Sequence, residues 1–182
     1  MRTVMKTLIF VVKFIGLKMR HWKGISILSV KALLSRCRFL STFLVLGQSR
    51  ITIGRIECAT NTHISAVSGG CIVIEDGCFF NRNITIVSRN SIEIGSRCTF
   101  GPNVCIYDHD HEYGEFGQTG HFKLGSIRIG SNCWVGANTV ILRDTVIGNN
   151  CVIGAGCIVK GIIPDNSLVT FSRNLTIKPL HN

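Results

Sequence analysis

Aliphatic residues recur at every sixth position through the C-terminal half of the chain. From residue 129 onward these leading residues are Ile129, Val135, Ile141, Ile147, Ile153 and Val159. The fifth position of each unit is mostly small, as at Cys133, Thr139, Thr145, Cys151 and Cys157. A period of six fits neither an α-helix, with 3.6 residues per turn, nor a simple alternating strand. The pattern therefore predicts a repeated short strand and turn, stacked into a parallel solenoid.

The same phase continues upstream, which sets the predicted limits of the repeat domain. It is visible at Ile74, Phe80 and Ile86, and after a two-residue slip at Ile94, Phe100 and Ile106. We therefore predict an all-β domain over residues 49–165, followed by a tail over residues 166–182.

Residues 1–48 have a different pattern and are predicted to form a basic amphipathic arm. Residues 4–19 are apolar, but lysines interrupt them too often for a membrane span or a secretory signal. Lys6, Lys13 and Arg20 are spaced seven apart, which places them on one stripe of a helix. The alternatives are an anchor on an anionic membrane surface, formed by residues 1–46, and a helical arm that packs against protein.

Charge is distributed unevenly over the 182 residues, and this changes what the net charge of +10 implies. Eleven Lys or Arg precede Glu57 without a single acidic residue, so the predicted β domain is nearly neutral. No nucleic-acid recognition motif accompanies the basic segment, and we expect no nucleic-acid partner. Charged residues make up 16% and hydrophobic residues 46%, which predicts a folded aliphatic domain.

The nine cysteines favour core packing over disulfides or metal binding. No CxxC pair is present, and five cysteines occupy the small fifth position of the repeat: Cys78, Cys98, Cys133, Cys151 and Cys157. An odd number of cysteines without a signal peptide is typical of a reducing cytoplasm.

The repeat breaks once, between Ile106 and Ile127, and the inserted segment carries the candidate chemistry. It reads YDHDHEYGEFGQTGHFKLGS and contains three of the six histidines, His109, His111 and His121. Long insertions in compact solenoids are commonly binding loops, so residues 107–126 are the candidate active-site loop. By spacing alone a histidine could act as general base, the histidines could bind zinc, or the loop could be merely solvated.

The leading aliphatic followed by Gly resembles the hexapeptide-repeat family, which forms left-handed parallel β-helices. The resemblance implies three hexads per coil, so that residues 18 apart stack: Ile129 with Ile147, and Cys133 with Cys151. GPNVCIYDHDH, followed by IRIGSNCWVGANTVI, is similar to the sugar O-acetyltransferases of the maltose and galactoside type. It is more similar still to the acetyltransferases of capsule and O-antigen clusters.

This resemblance assigns roles to individual residues. Matched on PNV, the catalytic base falls on His111, with His109 as the second candidate, and the Ala137 amide faces the thioester oxygen. The acceptor-binding candidates are Asn81, Trp134, Asp108 and Asp110. The cofactor-binding candidates are Ala137, Ala155, Lys160, Arg173 and Lys178. No metal is expected.

The function implied is transfer of an acetyl group from acetyl-CoA to a saccharide hydroxyl in surface polysaccharide biosynthesis. The resemblance also implies a cytoplasmic homotrimer with active sites between subunits, and the basic arm suggests contact with the inner membrane face and a lipid-linked acceptor. Ser88 and Arg89 replace the acidic acceptor-binding residue of maltose-type enzymes, which argues against a simple maltose acceptor. The alternatives are a γ-carbonic-anhydrase-like zinc enzyme, an amino-sugar N-acetyltransferase and a non-enzymatic scaffold.

Overall fold

The computed structural model describes residues 25–27, 36–37 and 41–171, and these residues form strands and turns without a helix. Within this part of the chain no helix is long and apolar enough to cross a membrane. The helical stripe predicted from Lys6, Lys13 and Arg20 lies outside the described residues, whereas the described residues 25–27, 36–37 and 42–45 of the arm are strands. The strands in chain order are β1 (Ile25–Ile27), β2 (Arg36–Cys37), β3 (Thr42–Val45), β4 (Arg50–Ile53), β5 (Glu57–Cys58), β6 (His63–Ala66), β7 (Cys71–Ile74), β8 (Phe79–Phe80), β9 (Thr85–Ser88), β10 (Ser91–Ile94), β11 (Thr99–Phe100), β12 (Cys105–Tyr107), β13 (His109–Gly114), β14 (Gly117–Leu124), β15 (Ser126–Ile129), β16 (Trp134–Val135), β17 (Val140–Ile147), β18 (Val152–Ile153), β19 (Ile158–Ile163) and β20 (Leu168–Val169).

The strands wind into a three-faced parallel β-helix, in which the chain passes through faces A, B and C in each coil. Face A contains β1, β4, β7, β10 and β15; face B contains β2, β5, β8, β11, β16, β18 and β20; face C contains β3, β6, β9 and β12. Strands β17 and β19 begin on face C and turn onto face A, which joins these two faces into one sheet. Only the hairpin of β13 and β14 is antiparallel among the described strands.

The leading aliphatics of the hexads form the core, as predicted from their spacing. Ile129 pairs with Ile147, 18 residues later, and Trp134 pairs with Val152, which places Cys133 next to Cys151. In the coil that begins at β7, the register is 20 residues, as for Ile74 and Ile94, because the turn between β9 and β10 adds two residues. One coil earlier, Ile53 pairs with Ile74, 21 residues later. Each of these isoleucines is at most 1% exposed, so the predicted six-residue phase is confirmed.

Asparagines at the corner between faces B and C form a ladder along the helix axis. Asn61, Asn83, Asn103 and Asn138 each have φ between 58° and 60°, a left-handed conformation that Asn tolerates better than most residues. Each side-chain amide donates to the side-chain carbonyl of the next asparagine, at 2.9 to 3.0 Å. The ladder therefore holds successive coils in register at the corner that carries the candidate groove.

Parallel pairing extends beyond both predicted limits of the repeat domain. Strands β1, β2 and β3 pair with β4, β5 and β6 to form a first coil within the segment assigned to the arm. In β3 of this coil, the buried residues Phe43 and Val45 alternate with more exposed residues. The coil lacks the Ile-Gly signature, so the hexad pattern did not reveal it. At the other end, β20 pairs with β18 within the predicted tail.

The fifth-position cysteines are buried in the core as predicted, each 3% exposed or less. Four of them, Cys78, Cys98, Cys133 and Cys151, place Sγ 3.1 Å from a backbone carbonyl of the next coil. All nine cysteines are free thiols. A small side chain with a weak donor fits this column because each S–H can satisfy a carbonyl that the turn leaves inside.

Candidate functional site

A shallow groove follows the corner between faces B and C, where each face B strand ends. It has a volume of 440 Å³ and is lined by Asn81, Thr99, Phe100, Gly101, Pro102, Trp134, Gly136, Ala137, Val152, Ile153, Gly154 and Ala155. Trp134 points outward from β16 and is 56% exposed, so its ring forms a wall of the groove. The groove is therefore long, apolar and open to solvent.

Small residues shape the floor of the groove. A Cβ on Gly101 would lie 2.7 Å from the Ala137 nitrogen, and a Cβ on Gly136 would lie 2.5 Å from the Ala155 nitrogen. Because these contacts are to backbone atoms, a side chain at either position would force the coils apart. The glycines thus let consecutive backbones approach closely along the groove.

Two backbone amides in the groove have no hydrogen-bond partner within the described residues. At the equivalent position two coils before Ala137, the Arg82 amide donates to Asn81 Oδ1 at 2.8 Å, and one coil before Ala137 the residue is Pro102, which has no N–H. Ala137 and Ala155 then present N–H groups that neither a neighbouring coil nor a side chain satisfies. Carbonyl groups of a ligand lying in the groove could accept these hydrogen bonds.

The histidine-rich insertion forms a β-hairpin at a different corner, between faces C and A. Strand β12 leads into β13, and β14 returns the chain to β15 on face A. At the base of the hairpin the Gly125 amide donates to the Asp108 carbonyl at 2.8 Å, and Asn90 Nδ2 donates to the Gly125 carbonyl at 2.8 Å. These bonds fix both ends of the insertion to the preceding coil.

Asp108 is the one charged side chain buried among the described residues, with 0% exposure. Its carboxylate accepts hydrogen bonds from Ser88 Oγ at 2.6 Å, from the Arg89 amide at 2.8 Å and from the Asn90 amide at 2.8 Å. It also lies 3.0 Å from His109 Nδ1. Each of these donors compensates part of the hydration that the carboxylate loses on burial.

The contact with Asp108 fixes the state of His109. Because an ionised carboxylate only accepts hydrogen bonds, the contact favours a proton on His109 Nδ1, and in the neutral ring Nε2 is then the acceptor nitrogen. The His109 side chain is 10% exposed, whereas His111 is an exposed residue of the hairpin. Both rings contact Phe122, at centroid distances of 5.6 Å for His109 and 4.6 Å for His111.

Asp110 has a different environment from Asp108. Its carboxylate lies 2.6 Å from Arg143 Nε, and Arg143 also pairs with Asp144. The hydrogen bond from Arg143 to Asp110, followed by the charges of the two carboxylates, raises the pKa of Arg143. This ion pair attaches the hairpin to the coil that follows it.

The structure divides the predicted site residues into two groups. Asn81, Trp134, Ala137 and Ala155 line the groove, whereas Asp108, His109, Asp110 and His111 belong to the hairpin corner. Lys160 is exposed in β19 and does not line the groove, and the candidates Arg173 and Lys178 lie outside the described residues. Among the described residues, no group of three or more His, Cys, Asp or Glu side chains is arranged to hold a metal.

Four contacts of the candidate residues at the hairpin corner were missed. Ser88, Arg89 and Asn90 donate to Asp108, and Phe122 packs on both histidine rings. Only the departure from the maltose-type pattern at residues 88 and 89 drew attention to two of them. Their contact with Asp108 spans 19 to 20 residues, so local spacing gives no sign of it.

The six-residue repeat also matches a known family model over part of the chain. Residues 126–161 match the model for the bacterial transferase hexapeptide, six repeats. The chain therefore carries this repeat, and its fold is the left-handed parallel β-helix that the repeat predicts. No curated protein sequence matches the chain significantly.

Solved structures share this fold at low sequence identity. A hexapeptide-repeat acetyltransferase from Vibrio cholerae is 22% identical, with a TM-score of 0.51 over 76% of this chain and 70% of that chain. AntD, an N-acyltransferase from Bacillus cereus in complex with dTDP-4-amino-4,6-dideoxyglucose and coenzyme A, is 16% identical. Its TM-score is 0.53, over 72% of this chain and 76% of that chain.

Proposed function

We propose that the protein is an acyltransferase that uses acetyl-CoA to acetylate a sugar hydroxyl in surface polysaccharide biosynthesis. The observation that carries this proposal is the pairing of His109 with the buried carboxylate of Asp108 at 3.0 Å. Such a pairing produces a histidine with a fixed tautomer and a free Nε2, which is what a general base requires. The similarity in fold to acetyltransferase structures supports the same reaction class.

The proposed reaction is a direct transfer without an acylated enzyme. His109 Nε2 takes the proton of the acceptor hydroxyl, and the oxygen attacks the thioester carbonyl carbon. The Ala137 amide donates a hydrogen bond to the oxyanion that develops, since this N–H has no partner within the described residues. As the C–O bond forms and the C–S bond breaks, the imidazolium returns its proton to the departing thiolate.

Acetyl-CoA fits the groove at the corner between faces B and C. A pantetheine chain is extended and contains amide carbonyls, and the groove offers a long apolar surface with the unpaired amides of Ala137 and Ala155. Trp134 would cover one side of the chain. The role of Asn81 in holding the acceptor remains part of the proposal. Its carboxamide oxygen accepts a hydrogen bond from the Arg82 amide.

The motif match assigns the base to His111, whereas the geometry favours His109. His111 is exposed, and its ring contacts those of Phe122 and His109. His109 is nearly buried and is oriented by Asp108. We therefore propose His109 as the base. His111 stays the second candidate, and the experiment below compares the two.

We also propose that the enzyme works as a homotrimer. Within one chain the groove and the hairpin are separated by face C, and β12 spans three residues, or about 10 Å at 3.3 Å per residue. A hairpin from one subunit that reaches the groove of its neighbour would bring the two halves together. Membrane contact through residues 1–46 and a cytoplasmic location remain predictions from the sequence.

The test is an assay of thiol release from acetyl-CoA over a panel of neutral, acidic and amino sugars. We expect His109→Ala to lower kcat by about 10²- to 10⁴-fold with the fold intact, because a positioned general base contributes that much. His121→Ala is the matched control, since His121 is exposed on the same hairpin.

Loss of activity in His111→Ala but not in His109→Ala would transfer the role of base to His111. Full activity in both variants would refute the mechanism. About one bound zinc per protomer in the purified protein would favour the γ-carbonic-anhydrase-like alternative.

A further inference from the structure

Arg89 occupies the position directly after β9, one coil before the hairpin histidines. Its guanidinium carbon lies 3.7 Å from the centroid of the Phe122 ring, and Nη1 donates to Ser68 Oγ at 3.2 Å. The Phe122 ring in turn contacts both His109 and His111. Through this one aromatic ring, the guanidinium is held beside the two candidate bases.

No carboxylate within the described residues pairs with Arg89. The ion pairs in this part of the chain are His109 with Asp108, Arg143 with Asp110 and Arg143 with Asp144. Asp108 is close to the Arg89 backbone, but its oxygens already accept from Ser88, two amides and His109. The Arg89 guanidinium therefore has no paired carboxylate in the part of the chain that the structure describes, and Ser68 Oγ occupies only one of its N–H donors.

Arg143 provides the contrast on the other side of the hairpin. It lies in the coil that follows and is neutralised by two carboxylates, so its charge serves to attach the hairpin. Arg89 is half-buried and stacked on Phe122, which restricts its rotamers without satisfying its charge. A planar guanidinium in such a position is suited to bind two oxygens of a carboxylate or phosphate group.

We propose that Arg89 binds an anionic group of the saccharide acceptor, either a sugar carboxylate or a phosphate attached to the sugar. This inference rests on the proposed function, because it places the acceptor against the hairpin histidines. The acceptor then enters with its anionic group on Arg89 and a hydroxyl group towards the imidazoles. Neutral sugars such as maltose lack the group that this site recognises.

The test measures sugar binding directly by NMR titration, so it does not depend on turnover. The probes are D-glucuronate and N-acetylneuraminate for carboxylates, glucose 1-phosphate for phosphate, and D-glucose as the neutral sugar. We expect at least one anionic probe to bind the native protein at least about tenfold more tightly than glucose. Arg89→Gln should weaken that binding by about 10- to 100-fold, since a hydrogen bond to a charged group contributes on that scale.

Two further variants control for charge and folding. Arg50→Gln removes an exposed arginine of β4 and should leave sugar binding unchanged. Arg89→Lys keeps the charge but removes the planar fork, so its affinity for the anionic probe should fall between those of the native protein and Arg89→Gln. Preference among the probes identifies a carboxylate or a phosphate as the bound group.

Equal affinity for charged and neutral probes, binding of none of them, or unchanged binding in Arg89→Gln would overturn the proposal. Failure of the proposed function gives a different result. A protein that binds an anionic sugar through Arg89 but releases no thiol from acetyl-CoA with any acceptor would keep the anion site and lose the acetyl-transfer assignment.

Discussion

Replacement of Asp108 by Asn tests the buried carboxylate on which the candidate site depends. Asn has nearly the same shape, but one carboxylate oxygen becomes an NH₂ group that faces existing donors. The hydrogen bonds from Ser88 Oγ, the Arg89 amide, the Asn90 amide and His109 then lose the charge of their acceptor, and at least one of these donors faces an NH₂ group instead of an oxygen. Each such bond contributes about 1.5 to 3 kcal/mol, and because Asp108 is 0% exposed, water does not replace them.

We expect Asp108→Asn to lower the free energy of unfolding by about 3 kcal/mol. For a chain of this length that corresponds to a fall in Tm of roughly 6 to 12 °C. The measurement is denaturant unfolding followed by circular dichroism, at fixed protein concentration because assembly would shift the apparent stability. Asp110→Asn is the matched control, since the Asp110 side chain is 40% exposed. Loss of its surface ion pair should cost at most about 1 kcal/mol.

The reasoning fails if the two substitutions destabilise the protein equally, or if Asp108→Asn costs less than about 0.5 kcal/mol. Either result would mean that the carboxylate is not held by the donors around it. The same variant should also lose activity, because His109 would no longer have a fixed tautomer.

Two other predictions concern assembly and the corner ladder. Ala155→Trp should fill the groove and His109→Ala should remove the base, so each variant alone should be inactive. A refolded equal mixture should regain up to about one quarter of native activity if the site lies between subunits of a trimer. No recovery in the mixture would place the site within one chain. Asn103→Ala should cost about 2 kcal/mol in unfolding experiments, from two ladder hydrogen bonds and the left-handed φ of 60°. Gly adopts this φ without strain, so Asn103→Gly loses only the two hydrogen bonds and should cost about half as much. Equal losses in the two variants would refute this division between hydrogen bonds and strain.

The repeat can be predicted well from the sequence because each hexad is defined by the spacing of nearby residues. Ile129 and Ile147 open hexads and are buried in register, and the small fifth position forms the cysteine column. The first coil could not be predicted in the same way. Its strand β3 buries Phe43 and Val45 by simple alternation, a pattern that many half-buried strands share.

The role of Asp108 depends on contacts that local spacing does not contain. In an extended segment Asp108 and Asp110 are expected to point to the same side, yet one is buried at the corner and the other is paired with Arg143. The difference arises because Asp108 still belongs to the corner of the coil, where three donors from residues 88 to 90 face inward. The insertion begins only at the next residue, His109.

The groove and the hairpin lie at different corners of the β-helix, and under the proposed function this separation calls for a second copy of the chain. The strands of face C keep the groove amides of Ala137 and Ala155 apart from His109 within one chain. A site that contains both the acyl donor and the base therefore needs a second copy of the chain, unless the hairpin crosses face C. The bonds at Asp108, Gly125 and Arg143 oppose that movement, because they fix the hairpin base to the coils on either side. Assembly is thus the step that would convert two half-sites into one catalytic site.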